Sequence, residues 1–151
     1  MFFKLLSIAI LITIDQISKR YVQDMFLAQN HEPFDLIPGI IECQYSQNTG
    51  VAFSMLADKP LFLTIFNSLV LIVLAIYFFR TSFRSALDRL GFAFILAGGL
   101  GNLIDRFLWG YVIDFINPTF IEFAIFNLAD SFLNIGVALL LIKLIFYGNK
   151  V

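Results

Sequence analysis

Apolar positions gather into four long runs separated by polar stretches, and each run approaches the roughly 20 residues that a bilayer-spanning helix needs. The expected spans cover about 2–22, 61–79, 90–109 and 127–147. The first is interrupted by Asp15 and Lys19. Its start, Lys4 followed by LLSIAILITI, imitates a signal peptide, but the DQISKRYVQD that follows has no small-x-small cleavage site, so the pattern predicts a retained span. The second run carries no charge and is preceded by Pro60, a residue suited to a first helical position. The third holds Gly98, Gly99 and Gly101 in its middle and Asn102, Asp105 and Arg106 near its end. The fourth opens with Asn127, Asp130, Ser131 and Asn134 before turning aliphatic. Between the first two runs, FDLIPGIIECQYSQNTGVAFSML shows strand-like residues with a Pro-Gly turn and an Asn-Thr-Gly turn, which predicts a small sheet. The expected architecture is a single integral membrane domain over 1–151: all-α, four transmembrane helices, with a small β-rich segment at the outer face.

Composition agrees with a lipid solvent. Of 151 residues, 60% are hydrophobic and 14% charged, and the mean hydropathy is +0.87, against about 25% charged residues in soluble domains. Net charge of −1 gives no basic footprint, so nucleic acid is not an expected partner. The one cysteine, Cys43, excludes an intramolecular disulfide and reads as a free, buried thiol. The one histidine, His31, sits in the polar NHEPFD stretch and excludes multi-histidine metal sites, while no phosphate-binding glycine loop is present. No metal or other cofactor is expected. Lysine and arginine set the sidedness. Lys4, Arg80, Arg84, Arg89, Lys143 and Lys150 fall on one side of a four-span chain, which predicts that both termini are cytoplasmic.

Ionisable residues inside spans are functional hypotheses by default. Asp15, Ser18 and Lys19 share a helical face at i, i+3, i+4; Asn102, Asp105 and Arg106 repeat the spacing; Asn127, Asp130 and Asn134 start the fourth span. In the four-span topology all three stripes lie at the outer level. Asp15 has Lys19 as a partner, and Asp105 has Arg106 or a cation on another helix, so both acids also suit a purely structural pairing. Asp114 in GYVIDFI and Asp130 in FNLADSF have no cation nearby in sequence. Two such carboxyls brought together can share one proton and act as acid and base; the competing reading is that each only caps a helix or bonds the backbone. The three glycines equally suit close helix packing.

DQISK, NTGVAFS, GGLGNLIDR followed by GYVIDF, and FNLADS together resemble the lipoprotein signal peptidase family, also called signal peptidase II, over nearly the whole chain. The resemblance implies a membrane-embedded aspartic endopeptidase of the bacterial cytoplasmic (inner) membrane, acting near its outer face. It would remove signal peptides from diacylglyceryl-modified prolipoproteins just before the lipidated cysteine. It further implies Asp114 and Asp130 as the catalytic pair, and Asp15, Lys19, Asn48, Gly101, Asn102, Asp105, Arg106, Asn127 and Ala129 as residues that shape the site or orient substrate. Implied partners are diacylated prolipoproteins, membrane lipids and cyclic depsipeptide inhibitors such as globomycin. Two rival readings follow from the same residues: a non-enzymatic proton or ion pathway, and a Ser-Lys protease using Ser18 or Ser131 with Lys19.

Overall fold

A computed structural model describes residues 2–50 and 60–148. The far end of the expected strand segment (51–56), Lys59 and Lys150 lie outside the described residues. In chain order the elements are helix α1 (Phe2–Gln23), one π-helical turn (Asp24–Ala28), strands β1 (Phe34–Ile37) and β2 (Ile41–Asn48), helices α2 (Pro60–Arg80) and α3 (Ala86–Trp109), strand β3 (Val112–Pro118) and helix α4 (Leu128–Tyr147).

The result is a four-helix membrane protein with one small sheet. Leu61–Arg80, Ala86–Trp109 and Leu128–Tyr147 have peak hydropathies of 2.5, 1.3 and 1.9 and are long and apolar enough to cross a bilayer. Helix α1 has 22 residues, about 33 Å at 1.5 Å per residue; its Asp15 and Lys19 are buried inside the protein rather than facing lipid. Large side chains such as Ile65, Leu69, Val73, Ile145 and Phe146 are left exposed on α2 and α4, as a lipid-facing surface requires.

Helix α3 is the hub and packs on α1, α2 and α4. Its contact with α4 is close because two glycines meet there: a Cβ on Gly136 would lie 2.6 Å from the Gly91 carbonyl oxygen. On its other faces Ala93, Leu96, Ala97 and Leu103 form a core with Ile8 of α1 and Leu71 and Phe78 of α2. Helix α3 begins at Ala86, ahead of the apolar run, because the Ser85 hydroxyl accepts the Leu87 N–H and caps it. It stops at Gly110, which takes a left-handed φ of 82°.

One end of the bundle carries Lys4 and Lys143. Lys4 Nζ donates to the carbonyls of Phe78 (2.6 Å) and Thr81 (2.8 Å), and Lys143 lies 3.9 Å from Asp88. The sheet closes the other end, in the order β1-β2-β3 and antiparallel throughout. A Pro38-Gly39 turn joins β1 to β2, with Gly39 at φ 70°. Strand β3 is a departure from the sequence reading, which expected a sheet only between the first two spans and no element between the third and fourth. Val112, Ile113, Asp114 and Phe115 are all buried, so the strand shows no alternation of apolar and polar positions to betray it. It pairs with β2 in the register Ser46↔Asp114 and Asn48↔Val112.

Candidate active site

Helices α1, α3 and α4 and strands β2 and β3 converge where the sheet meets the helix ends. The i, i+4 spacing on α1 sets Lys19 Nζ 2.9 Å from Asp15 Oδ2, and the same ammonium lies 2.9 Å from Asp105 Oδ2 of α3. All three groups are at most 1% exposed. Of the two partners expected for Asp105, the structure selects the cation on another helix: Asp105 pairs with Lys19 across the helix interface, not with its neighbour Arg106. Adjacent helical positions point about 100° apart, so Asp105 turns toward α1 while Arg106 turns toward the open side of α3.

Two further groups complete this web. Gln16 Nε2 donates to Asp105 Oδ1 (3.0 Å), Asp15 Oδ2 (3.2 Å) and the Gly101 carbonyl (3.2 Å). Sequence reasoning passed over it, although Gln16 and Lys19 share a helical face at i, i+3. The Ala129 N–H donates to Asp15 Oδ1 at 3.0 Å, and the Ile113 N–H to Asp105 Oδ2 at 3.2 Å. The ion cluster therefore holds the start of α4 and the start of β3 in place. Gly101 is needed for this approach, since a Cβ there would lie 2.5 Å from Asp15 Oδ2 and 3.2 Å from Ala129 Cβ. Gly101→Ala is expected to lower stability by about 1–3 kcal/mol through overpacking, read as a lower melting temperature in detergent.

Asp114 and Asp130 stand on the cavity side of that web. Asp114 Oδ2 accepts from Asn48 Nδ2 at 2.9 Å and its Oδ1 from Asn127 Nδ2 at 2.6 Å. Asp130 Oδ1 accepts from Asn102 Nδ2 at 2.7 Å, and its Oδ2 from the Asn127 N–H at 3.2 Å. The Asn127 side chain also accepts the Asp130 N–H, closing a capping box at the start of α4. Asn127 thus binds both carboxylates, one through its side chain and one through its backbone. Asn102 joins them to the ion cluster, because its Oδ1 accepts from Lys19 Nζ (3.0 Å) and Asn127 Nδ2 (3.1 Å). Burial, foremost, and the nearby Asp130 carboxylate push Asp114 up to about 7, against the hydrogen bonds from Asn48 and Asn127. Arg106 lies within electrostatic reach of both aspartates. Its Nη2 donates to the Gly50 carbonyl at 2.7 Å, and its buried Nε has no partner among the described residues.

Both carboxylates open onto a cavity of about 570 Å³ between α2, α3, α4 and the 123–126 segment. Asn48, Asn102 and Arg106 line it near the aspartates, and Leu71, Leu74 and Leu133 give it apolar walls. The serines that a Ser-Lys mechanism would need are otherwise engaged: Ser18 Oγ donates to the Asp15 carbonyl and Ser131 Oγ to the Asn127 carbonyl. No cluster of three metal-type ligands occurs among the described residues. Cys43 is buried against Val22 and Phe115, and burial followed by the Glu42 charge pushes its thiol up, away from reactivity.

Two solved structures share this architecture. One, described as a bacterial membrane enzyme structure by the in meso method at 2.3 Å resolution, matches with a TM-score of 0.85 and 31% identity over 100% of this chain and 93% of its own. The second, a bacterial membrane enzyme structure by the same method at 1.9 Å, matches with a TM-score of 0.81 and 31% identity, covering 97% and 94%. The class is therefore that of a bacterial membrane enzyme. The family model for signal peptidase (SPase) II matches residues 7–146. A lipoprotein signal peptidase of Streptococcus pyogenes serotype M1 is 44% identical over 140 residues, 92% of this chain and 90% of that one. Its counterpart from serotype M5 (strain Manfredo) is 43% identical over the same shares. The chain belongs to the signal peptidase II family.

Proposed function

We propose that the protein removes signal peptides from diacylglyceryl-modified bacterial prolipoproteins, cutting just before the lipidated cysteine, with Asp114 and Asp130 as the catalytic pair. The observation that carries this reading is the pair of carboxylates bound through one residue, Asn127, at the polar end of an otherwise apolar cavity. Asp114, raised to about 7, keeps a proton with which to polarise the scissile carbonyl. Asp130 accepts a proton from water as the water oxygen bonds to the carbonyl carbon. That proton then passes to the leaving nitrogen as the C–N bond breaks, and the pair returns to its single-proton state. Arg106 and Asn48 orient the substrate backbone or the carboxylates, and the Asp15–Lys19–Asp105 cluster holds the scaffold beneath them.

The apolar signal helix enters laterally between α2 and α4, which flank α3 without extensive mutual packing, and the acyl chains stay in lipid. A cyclic depsipeptide such as globomycin would compete for the same cavity. Charge distribution speaks against a proton or ion pathway. Leu5–Ile14 of α1, Leu61–Phe79 of α2, Leu90–Ile104 of α3 and Ser131–Ile142 of α4 carry no charged side chain, whereas a relay extends across the membrane.

The test is to incubate the purified protein in lipid with a diacylated prolipoprotein and read the cut by mass spectrometry. Cleavage immediately before the modified cysteine is expected; an uncut substrate, or a cut elsewhere, overturns the reading. The proposed orientation places the sheet end outside and the Lys4–Thr81 end in the cytoplasm. With impermeant thiol reagents on intact cells, His31→Cys should label and Ser82→Cys should not, both positions being exposed; the reverse pattern inverts the topology.

A further inference from the structure

Two amides on the cavity wall are left unused by the catalytic arrangement. Asn67 of α2 and Asn134 of α4 both line the cavity, and neither has a hydrogen-bond partner among the described residues. They contrast with Asn48, Asn102 and Asn127, whose amides are all engaged. An unpartnered carboxamide within a membrane span is unfavourable, and such groups normally bond across helices.

Their depths follow from how α2 and α4 pack on α3. Asn134 follows Asp130 by four positions, which places it on the same face of α4 about 6 Å farther into the membrane. Leu71 of α2 packs on Gly99 of α3, which sets Asn67 near the level of Asn102, whereas Gly136 of α4 packs on Ile95, which sets Asn134 deeper. The two amides therefore flank the cavity at successive depths, Asn67 near the level of the catalytic pair and Asn134 about one helical turn farther inward.

We infer that Asn67 and Asn134 are positioning residues that hydrogen-bond the backbone of the signal peptide where it unwinds, just N-terminal to the scissile bond. The inference rests on the functional reading above and deepens it. A helical substrate hides its peptide carbonyls in its own hydrogen bonds, so the segment presented to Asp114 and Asp130 must leave the helix. Each backbone N–H and C=O released at membrane depth then needs a partner, because lipid offers none. A carboxamide supplies donor and acceptor together, which is what an exposed peptide unit requires. Contact with the backbone rather than with side chains also lets one site accept signal peptides of different sequence.

The experiment compares Asn67→Leu, Asn134→Leu and the double variant with wild type, using a diacylated prolipoprotein peptide in lipid. Because the contacts form only once the substrate has unwound, they act on the reactive conformation. Each single change is expected to lower kcat about five- to tenfold, the double about 50-fold, with KM within about twofold of wild type. Melting temperatures should equal or exceed that of wild type, since leucine removes an unpartnered amide from an apolar wall. Asn67→Gln and Asn134→Gln should recover much of the lost turnover. A double variant that turns over within about twofold of wild type overturns the inference. So does a loss of turnover that tracks a fall in melting temperature and is not relieved by glutamine. Wild-type protein that leaves the substrate uncut would instead overturn the functional reading itself, and this inference with it.

Discussion

Asp114→Asn and Asp130→Asn should each reduce cleavage by at least ~10⁴-fold while leaving a folded protein, because members of one catalytic unit fail together. Asparagine keeps the size of the side chain but cannot give and take a proton. Each substitution also turns one acceptor oxygen into a donor facing an amide, Asn48 or Asn127 at position 114 and Asn102 or the Asn127 N–H at position 130. That mismatch should cost about 1 kcal/mol of stability, visible in a melt but too small to unfold the chain. The double variant should be scarcely slower than either single one. In wild type, turnover should fall as pH rises through about 7, where Asp114 loses its proton and both carboxyls are ionised, leaving no acid to polarise the carbonyl. It should fall again at low pH, once both carboxyls are protonated and no base remains. The two limbs belong to the pair rather than to either residue. Activity in a folded Asp→Asn variant, or loss only on replacing Ser18 or Ser131, would sink the dyad.

The four helices and the level of the polar groups are legible in the sequence because lipid imposes a simple rule, apolar except where function or pairing demands otherwise. Asp15 and Lys19 illustrate this, since i, i+4 spacing on a helix leaves little freedom in how they meet. Which of its two candidate partners Asp105 takes was left open, because helix-to-helix pairing depends on rotation about the helix axes, and Gly101 lets Asp15 approach α3. Strand β3 was hidden for a different reason. Its buried residues lie on both faces, so VIDF reads as an undifferentiated apolar run, and only pairing with β2 reveals that Asp114 is held on a sheet. Asp130 shows that two readings of one residue can coexist: it completes the capping box of α4 and also faces the cavity. Sequence alone offered these as alternatives. Asn67 stands alone in an uncharged span, where no spacing signal marks it; only the cavity singles it out.

Lys19→Met is expected to be the most damaging change outside the proposed catalytic pair. Lys19 is the one cation in direct contact with Asp15 and Asp105 among the described residues, and it also donates to Asn102. Methionine fills nearly the same volume, so the effect isolates the charge from the packing. Removing it leaves two carboxylates facing each other with no water to solvate them, a loss of about 3–5 kcal/mol for a broken buried pair. The damage should spread in a defined direction. Asp15 holds the Ala129 N–H at the start of α4 and Asp105 holds the Ile113 N–H beside Asp114, so the elements that carry Asp130 and Asp114 both lose their anchor and turnover should fall with stability. Neutralising the acids in the same chain, as Asp15→Asn/Lys19→Met/Asp105→Asn, should restore part of the melting temperature, since a fully neutral set of similar shape avoids the stranded charges. Melts of wild type, the single variant and the triple variant in one detergent decide the matter. A single variant that melts with wild type, or a triple variant no more stable than the single, would show that the cluster does not hold the scaffold by charge.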